Sequence, residues 1–281
     1  MTVRAARVPG HANRVAPALG WPVQGLALLA ALTLGLPVVV LIGRAVLGGA
    51  LFDAATVRVV LDALALSLLT TTVSLLLTVF LGTPLALLLA RRTFRGQTLV
   101  ETAIDLPIVL PPSVAGLALL LVFGRRGLLG ESLSVLGIEI AFTTIAVVIA
   151  QTFISAPFYI RSARTGFASV DHDLEDAARV DGASERQLFR SITVPLASAA
   201  LAAGLVMSWA RALGEFGATI MFAGSVAGKT QTLPLVVYAE FQGGDLDAAI
   251  AAASILVLAA FGVLVSVRIL HFGRVLDVRG A

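Results

Sequence analysis

Residues 174–184 are polar in an otherwise apolar chain and read Leu174-Glu175-Asp176-Ala177-Ala178-Arg179-Val180-Asp181-Gly182-Ala183-Ser184. The stretch continues to Ile192-Thr193-Val194-Pro195, and long apolar segments lie on both sides of it. We call residues 171–195 the polar block. A chain this apolar has few places that favour water. An ordered, charged segment between two apolar stretches therefore indicates a docking surface rather than a flexible linker.

The composition is that of a membrane protein. Of the 281 residues, 58% are hydrophobic and 13% are charged, whereas soluble domains carry about 25% charged residues. The net charge of +3 does not indicate a nucleic-acid partner, because the arginines cluster at the ends of apolar stretches, as in cytoplasmic loops. The chain has no cysteine, which excludes disulfides, thiolate metal sites and cysteine nucleophiles. The histidines are scattered, so we expect no metal site and no catalytic residue.

Six apolar stretches are long enough, or nearly so, to cross a membrane, which takes about 20 residues per helix. We therefore expect an all-α, polytopic fold with six transmembrane helices, over residues 21–47, 61–89, 104–123, 140–159, 196–222 and 248–270. Most arginines fall on one side if both termini lie inside the cell, which predicts an N-in, C-in topology. The polar block is then cytoplasmic, between the fourth and fifth spans.

The same pattern divides the chain into four segments. Residues 1–19 are expected to form a disordered basic tail, and residues 20–48 the first transmembrane helix. Residues 57–271 form the core, which includes the polar block, and residues 272–281 form a C-terminal tail.

Local signals in the polar block predict two short helices joined by a turn. Asp173 opens an acidic helix start, and Gly182 can take the positive φ that ends a helix. Ser184 and Gln187 have the spacing of a capping box, which begins a second helix that ends near residue 191. Pro195 then falls in the first turn of the fifth span, where a missing N–H costs nothing. A solvated connector would show the same signals.

The spacing of the polar block resembles the EAA loop of ABC importer permeases. That loop reads acidic-Ala-Ala, three residues, Gly, nine residues, Ile-x-Leu-Pro, and the residues in register are Asp176, Ala177, Ala178, Gly182, Ile192 and Pro195, with Glu175 beside the acidic position. Aspartate replaces glutamate at 176, and Val194 replaces leucine. The resemblance implies that this loop sits in a groove of the ATP-binding subunit and transmits ATP-driven closure to the spans.

Two other stretches contain residues that are unusual within spans. Arg211 and Glu215 lie four positions apart in the fifth span, where they can pair on one helix face. We interpret this stretch and the proline-rich part of the third span as pathway or gate candidates, namely Pro111, Pro112, Ser113, Gly116, Arg211, Glu215, Gly217 and Thr219. The structural alternatives are a packing salt bridge in the fifth span and a kinked packing helix in the third.

Residues 110–116, 210–219 and 230–235 together look like the molybdate, sulfate and tungstate branch of these permeases, and like its molybdate members most. The resemblance implies a type I ABC importer permease fold in the plasma (inner) membrane of a prokaryote. It also implies a lipid-embedded chain with three protein partners: a cytoplasmic ABC ATPase, a periplasmic or extracellular oxyanion-binding protein, and a second copy of the permease. No cofactor is then expected in this chain, because the ATPase binds ATP.

One stretch is misleading. Residues 223–230 formally fit a relaxed phosphate-binding loop, but a working loop needs a strand before it and a helix after it. A membrane span precedes it here, and the predicted side is outside the cell. ATP hydrolysis is therefore expected in a separate subunit, and this chain is expected to be non-catalytic.

Two rival functions remain open. One is a permease for sulfate, tungstate or phosphate, and the other is a secondary transporter or channel that needs no ATPase.

Overall fold

The computed structural model describes residues 21–49 and 54–277, and within these residues the chain is helical, with no strand. The helices are α1 (Trp21–Leu47), α2 (Ala54–Arg91), α3 (Gln97–Val109), α4 (Pro112–Phe123), α5 (Gly130–Val135), α6 (Thr144–Ala168), α7 (His172–Val180), α8 (Glu185–Leu188), α9 (Val194–Leu213), α10 (Gly217–Phe222), α11 (Leu233–Gly243) and α12 (Leu246–Asp277). A π-helical turn, Phe189–Thr193, joins α8 to α9.

The chain divides into two compact units, Met1–Leu41 and Ile42–Ala281. In the first unit the structure describes most of α1, a continuous apolar helix of 27 residues. It lies where the sequence predicts the first span, over residues 20–48. The basic tail predicted for residues 1–19 lies outside the described residues.

The second unit is built around α2, α6 and α9, which pack against one another. Small residues bring α6 and α9 close together. A Cβ atom on Gly166 would lie 2.7 Å from the Cβ of Ala200, and one on Gly204 would lie 2.8 Å from the Cβ of Ser162. Lipid supplies no hydrophobic drive for helices to associate, so close contact of this kind stabilises membrane bundles.

A row of buried hydroxyl side chains lies on α2, and two of them bond to α6. Its members, each at most 1% exposed, are Ser67, Thr70, Thr71, Ser74 and Thr78. Gln151 of α6 donates from Nε2 to Thr71 at 3.3 Å, and Thr152 donates to Ser74 at 3.1 Å. Hydrogen bonds between helices satisfy polar groups that lipid cannot solvate. The row adds a polar seam that sequence reading did not identify.

Within residues 21–49 and 54–277, five helices are long and apolar enough to cross a membrane, or up to six if the pair α3 and α4 counts as one span. That pair is bent by 119°, which is far more than a kinked helix. The bend lies at Leu110 and Pro111, which have extended ψ values of 136° and 132°. A residue before proline avoids helical geometry, and Pro112 then begins α4 at a position where proline is favoured.

Three predicted boundaries are corrected. The fifth span was predicted over residues 196–222, but α9 ends at Leu213 and α10 follows after a break. The fourth span begins at Thr144 rather than residue 140, because Thr143 caps it by accepting the N–H of Ala146. α12 extends through Asp277, so residues 272–277 are helical rather than a tail. Residues 278–281 lie outside the described part.

Candidate functional site

α7 is the first helix of the polar block, and its N-cap lies earlier in the chain than the sequence suggested. Asp171 is the cap, and its side chain accepts the N–H of Asp173 at 3.0 Å. The predicted start at Asp173 is therefore wrong, and Asp173 lies in the first turn. Acidic side chains in this turn also stabilise the helix, because they interact favourably with the positive end of the helix dipole.

The turn after α7 depends on Gly182, as predicted. Its φ is +86°, in the left-handed region that side chains disfavour. Its N–H donates to the carbonyl of Arg179 at 3.0 Å, and the N–H of Ala183 donates to Ala178 at 2.9 Å. These bonds satisfy carbonyls that the helix end would otherwise leave free.

The capping box at the start of α8 is present as predicted. Ser184 Oγ accepts the N–H of Gln187 at 3.4 Å, and Gln187 Oε1 accepts the N–H of Ser184 at 2.9 Å. The predicted end of this helix near residue 191 is wrong, because the chain stays helical through the π turn into α9. Pro195 cannot donate the hydrogen bond that an α-helix needs, and the π turn ends two residues before it, at Thr193.

Glu175 is the one buried residue of α7, at 3% exposed. Its Oε1 accepts from Arg91 Nη2 at 2.5 Å and from Thr193 Oγ1 at 2.8 Å. His172 Nδ1 lies 3.7 Å from its Oε2. A buried carboxylate needs this pairing. Sequence reading placed Glu175 beside the acidic position but missed Arg91 and Thr193. Neither partner belongs to a local sequence motif that would identify it.

Asp176 is on the exposed side of the same helix. Arg179 Nη1 donates to it at 2.7 Å, and Arg179 Nε donates to Glu185 at 2.8 Å across the glycine turn. The hydrogen bond from Arg179 lowers the pKa of the Glu185 carboxyl. The bonds to Glu185 and then to Asp176 raise the pKa of Arg179. This exposed network connects α7 with α8.

α7 carries its apolar residues on the outside. Leu174 is 51% exposed, Val180 is 87% exposed, and Ala177 is exposed between them. A surface helix usually buries its apolar side, whereas α7 buries a carboxylate. Ile192 is half-buried, and Ala178 lies at the edge of the exposed surface.

The two sets of pathway candidates come together, because α4 packs against α10. Gly116 lies against α10, where an added Cβ would be 2.7 Å from the carbonyl oxygen of Ala218. Pro111, Pro112 and Ser113 are exposed at the start of α4. Thr219 is fully buried and its hydroxyl has no hydrogen-bond partner within the described residues. Thr219 therefore does not face an open surface in this conformation.

Arg211 and Glu215 pair as predicted, but across a break rather than along one helix. Arg211 Nη2 lies 2.7 Å from Glu215 Oε2, as an ion-pair contact without hydrogen-bond alignment. Glu215 Oε1 accepts the N–H of Ala218 at 2.8 Å and so caps α10. Glu215 is 1% exposed, while the side chain of Arg211 is 31% exposed. The pair thus holds α10 to the end of α9 and leaves part of the guanidinium open.

The loop over residues 223–230 is not built to hold a phosphate. Helix α10 precedes it, and Lys229 and Thr230 lie in turns before α11 begins at Leu233. The helix after it, α11, begins with buried apolar residues. Within the described residues, no group of three or more His, Cys, Asp or Glu side chains is placed to hold a metal ion.

Comparison with known proteins shows one family over most of the chain. Residues 82–275 match the family described as "Binding-protein-dependent transport system inner membrane component". The molybdenum transport system permease protein ModB of Mycobacterium tuberculosis is 45% identical over 205 residues, which cover 73% of this chain and 77% of that protein. The sulfate transport system permease protein CysT of Salmonella typhimurium is 37% identical over 195 residues, covering 69% and 70%.

The fold is also similar to a solved structure. A chain of the bacterial alginate ABC transporter, solved in complex with an alginate pentasaccharide-bound periplasmic protein, aligns with a TM-score of 0.66. The alignment covers 87% of this chain and 92% of that one at 18% identity. The predicted ABC importer permease fold is therefore confirmed.

Proposed function

We propose, from the premise that this chain belongs to the family of binding-protein-dependent transport system inner membrane components, that it forms the membrane pathway of an ATP-driven importer for molybdate. The chain is an ABC importer permease. It is multi-pass, and we place it in the inner membrane of a prokaryote with the polar block in the cytoplasm. The chain itself is non-catalytic and carries no cofactor, and ATP is bound and hydrolysed by a partner subunit.

The reversed burial of α7 is the observation that carries the proposal. Its apolar residues Leu174 and Val180 are exposed, and its carboxylate Glu175 is buried. An exposed apolar helix face with a satisfied cap at each end has the properties of a docking surface. Asp176, Gly182 and Pro195 lie in the register of the loop that contacts the ATPase in this family. We therefore assign the ATPase to this face.

The pathway follows from the junction of α4 and α10. Ser113 is exposed there and offers a neutral hydroxyl, and the charge of buried Glu215 is neutralised by Arg211. Weak neutral donors suit a dianion that must leave again, since a tight cationic site would retain it. A second copy of the chain would complete the path, and a periplasmic binding protein would deliver the anion from outside.

Sulfate is the second candidate cargo, because the relative CysT is a sulfate system permease at 37% identity. The relative ModB, at 45% identity, favours molybdate.

The deciding experiment is transport by the purified complex. The chain is co-expressed with its ATPase and binding protein, reconstituted in liposomes, and assayed for uptake of labelled molybdate. We expect uptake that requires ATP and the ATPase. Unlabelled molybdate should inhibit the uptake of labelled molybdate more strongly than sulfate, tungstate or phosphate does. Stronger competition by another of these anions would reassign the cargo. Uptake without the ATPase would indicate a secondary transporter or channel instead.

A further inference from the structure

A cleft separates α7 and α8 from the end of α2. Its volume is about 600 Å³, and its walls are Leu87, Leu88 and Arg92 on one side and Arg179, Glu185 and Leu188 on the other. At this cleft α7 is joined to the end of α2 by polar contacts, which Arg91 makes with His172 and Glu175.

The two ends of the polar block are attached to α6 by apolar contacts. Val170, just before α7, is 4% exposed in the cluster that contains Phe167. Phe189, just after α8, lies against Phe167 in a tilted arrangement, with ring centroids 6.2 Å apart. These contacts hold both segments against α6. The same cluster includes Ala86 of α2, but no residue of α7 belongs to it.

The charged link from α7 to α2 is the buried carboxylate of Glu175, and His172 of α7 also lies 3.1 Å from Arg91 Nη1. Arg91, the partner of Glu175 at 2.5 Å, is the last residue of α2, and its side chain is 15% exposed. Thr193, which donates to the same carboxylate oxygen, is the last residue of the π turn before α9. A single oxygen atom therefore joins the docking helix, the end of a long span and the start of another.

We propose that Glu175 is a positioning residue that couples α7 to α2, so that the two helices move together when the docking surface is displaced. Burial makes the link resistant to separation, because opening the pair would leave a charge buried without its partner, at a large cost in free energy. Asp176, the acid in register with the family motif, is exposed and pairs with Arg179 within the polar block. Docking is thus assigned to the exposed residue Asp176, and transmission to its buried neighbour Glu175. The ATP-driven part of this inference rests on the proposed function.

The first test measures the distance between α7 and α2. The chain has no native cysteine, so spin labels can be placed at the exposed positions Asp173 and Leu81 without background. In the unaltered chain we expect one narrow distance distribution, which stays the same in the complex when ATP is added. The variant Glu175→Ala/Arg91→Ala removes both charges and leaves neither buried alone. We expect it to give a broad distribution that shifts with ATP.

A matched control removes an ion pair that lies outside the polar block. Glu101 of α3 and Arg164 of α6 are 2.8 Å apart, and Glu101→Ala/Arg164→Ala should leave the α7–α2 distance narrow. An unchanged distance in the Glu175→Ala/Arg91→Ala variant would overturn the proposal. The milder Glu175→Gln should broaden the distribution partly, and it serves as the test if the double variant does not fold.

The second test separates coupling from folding. In reconstituted complex, Glu175→Ala/Arg91→Ala should keep ATPase binding but lower labelled molybdate uptake per ATP by about tenfold, within the usual range of coupling between sites. The swap Glu175→Arg/Arg91→Glu should restore part of the molybdate uptake per ATP. Normal uptake per ATP in the double-alanine variant would show that the pair serves folding alone. Failure of the unaltered chain to bind any ATPase would instead overturn the proposed function, and the distance measured on the permease alone would still stand.

Discussion

Gly217 of α10 lies directly against Pro112 of α4, so that a Cβ atom on Gly217 would be only 2.6 Å from the Cβ of Pro112. The same added atom would be 3.3 Å from the backbone nitrogen of Ser113. Contacts this short leave no room for a methyl group. The break after α3 and the break after α9 therefore meet at one backbone-to-backbone junction, which is where we place the pathway.

Gly217→Ala tests this junction. The added methyl group should cost about 1–3 kcal/mol of stability, as overpacking does elsewhere, and should lower transport. Thermal unfolding of the solubilised protein and liposome uptake measure the two effects. The control is Gly262→Ala in α12, where a Cβ atom would meet nothing within 4 Å. Equal stability of the two variants would contradict the close packing.

Arg211→Ala should destabilise the protein because it leaves Glu215 buried without a countercharge. Removal of one partner of a buried pair costs about 3–5 kcal/mol, and the partial exposure of Arg211 places the expected loss at the lower end. Adding Glu215→Gln should recover part of it, since glutamine can still cap Ala218. Unfolding free energies of the single and double variants measure the coupling. Additive losses would speak against pairing.

Gly182→Val should distort the docking surface, because valine is strained at a φ of +86°. The left-handed conformation costs roughly 1–2 kcal/mol for a residue with a side chain, whereas asparagine tolerates it. We expect Gly182→Val to lose copurification with the ATPase and Gly182→Asn to retain it. Membrane insertion should be normal in both. Equal ATPase binding by the two variants would show that the turn at Gly182 is not part of the docking surface.

Acidification should loosen the exposed contact between α7 and α8. Arg179 lowers the pKa of Glu185 below its ordinary value of 4.5. The contact therefore adds stability above that value, and the contribution is lost as the pH falls through the lowered pKa. Hydrogen exchange of the amides in residues 176–190 should accelerate over that acidic range. Glu185→Gln should exchange faster already at neutral pH, and with less dependence on pH. Salt should weaken the contact, because both groups are exposed.

Much of the fold could be predicted because its signals are local. The apolar stretches predicted the main spans, and the proline-rich part of the third span made a kinked helix one of the alternatives there. The caps at Gly182 and Ser184 depend on residues within a few positions, so sequence reading found them. The boundary errors at Asp173 and after Leu213 arose where a neighbouring side chain, Asp171 or Glu215, took a role that spacing alone did not assign.

The amino-acid sequence by itself determined the helical class, the glycine turn and the register of Asp176, Gly182 and Pro195, because each depends on backbone preferences of nearby residues. Only the tertiary structure decided that Glu175 is the buried acid and that its partner is Arg91, 84 positions away. It also brought Gly217 against Pro112. Such contacts join segments that are far apart in the chain. They are set by which helices pack together, and no local preference encodes that.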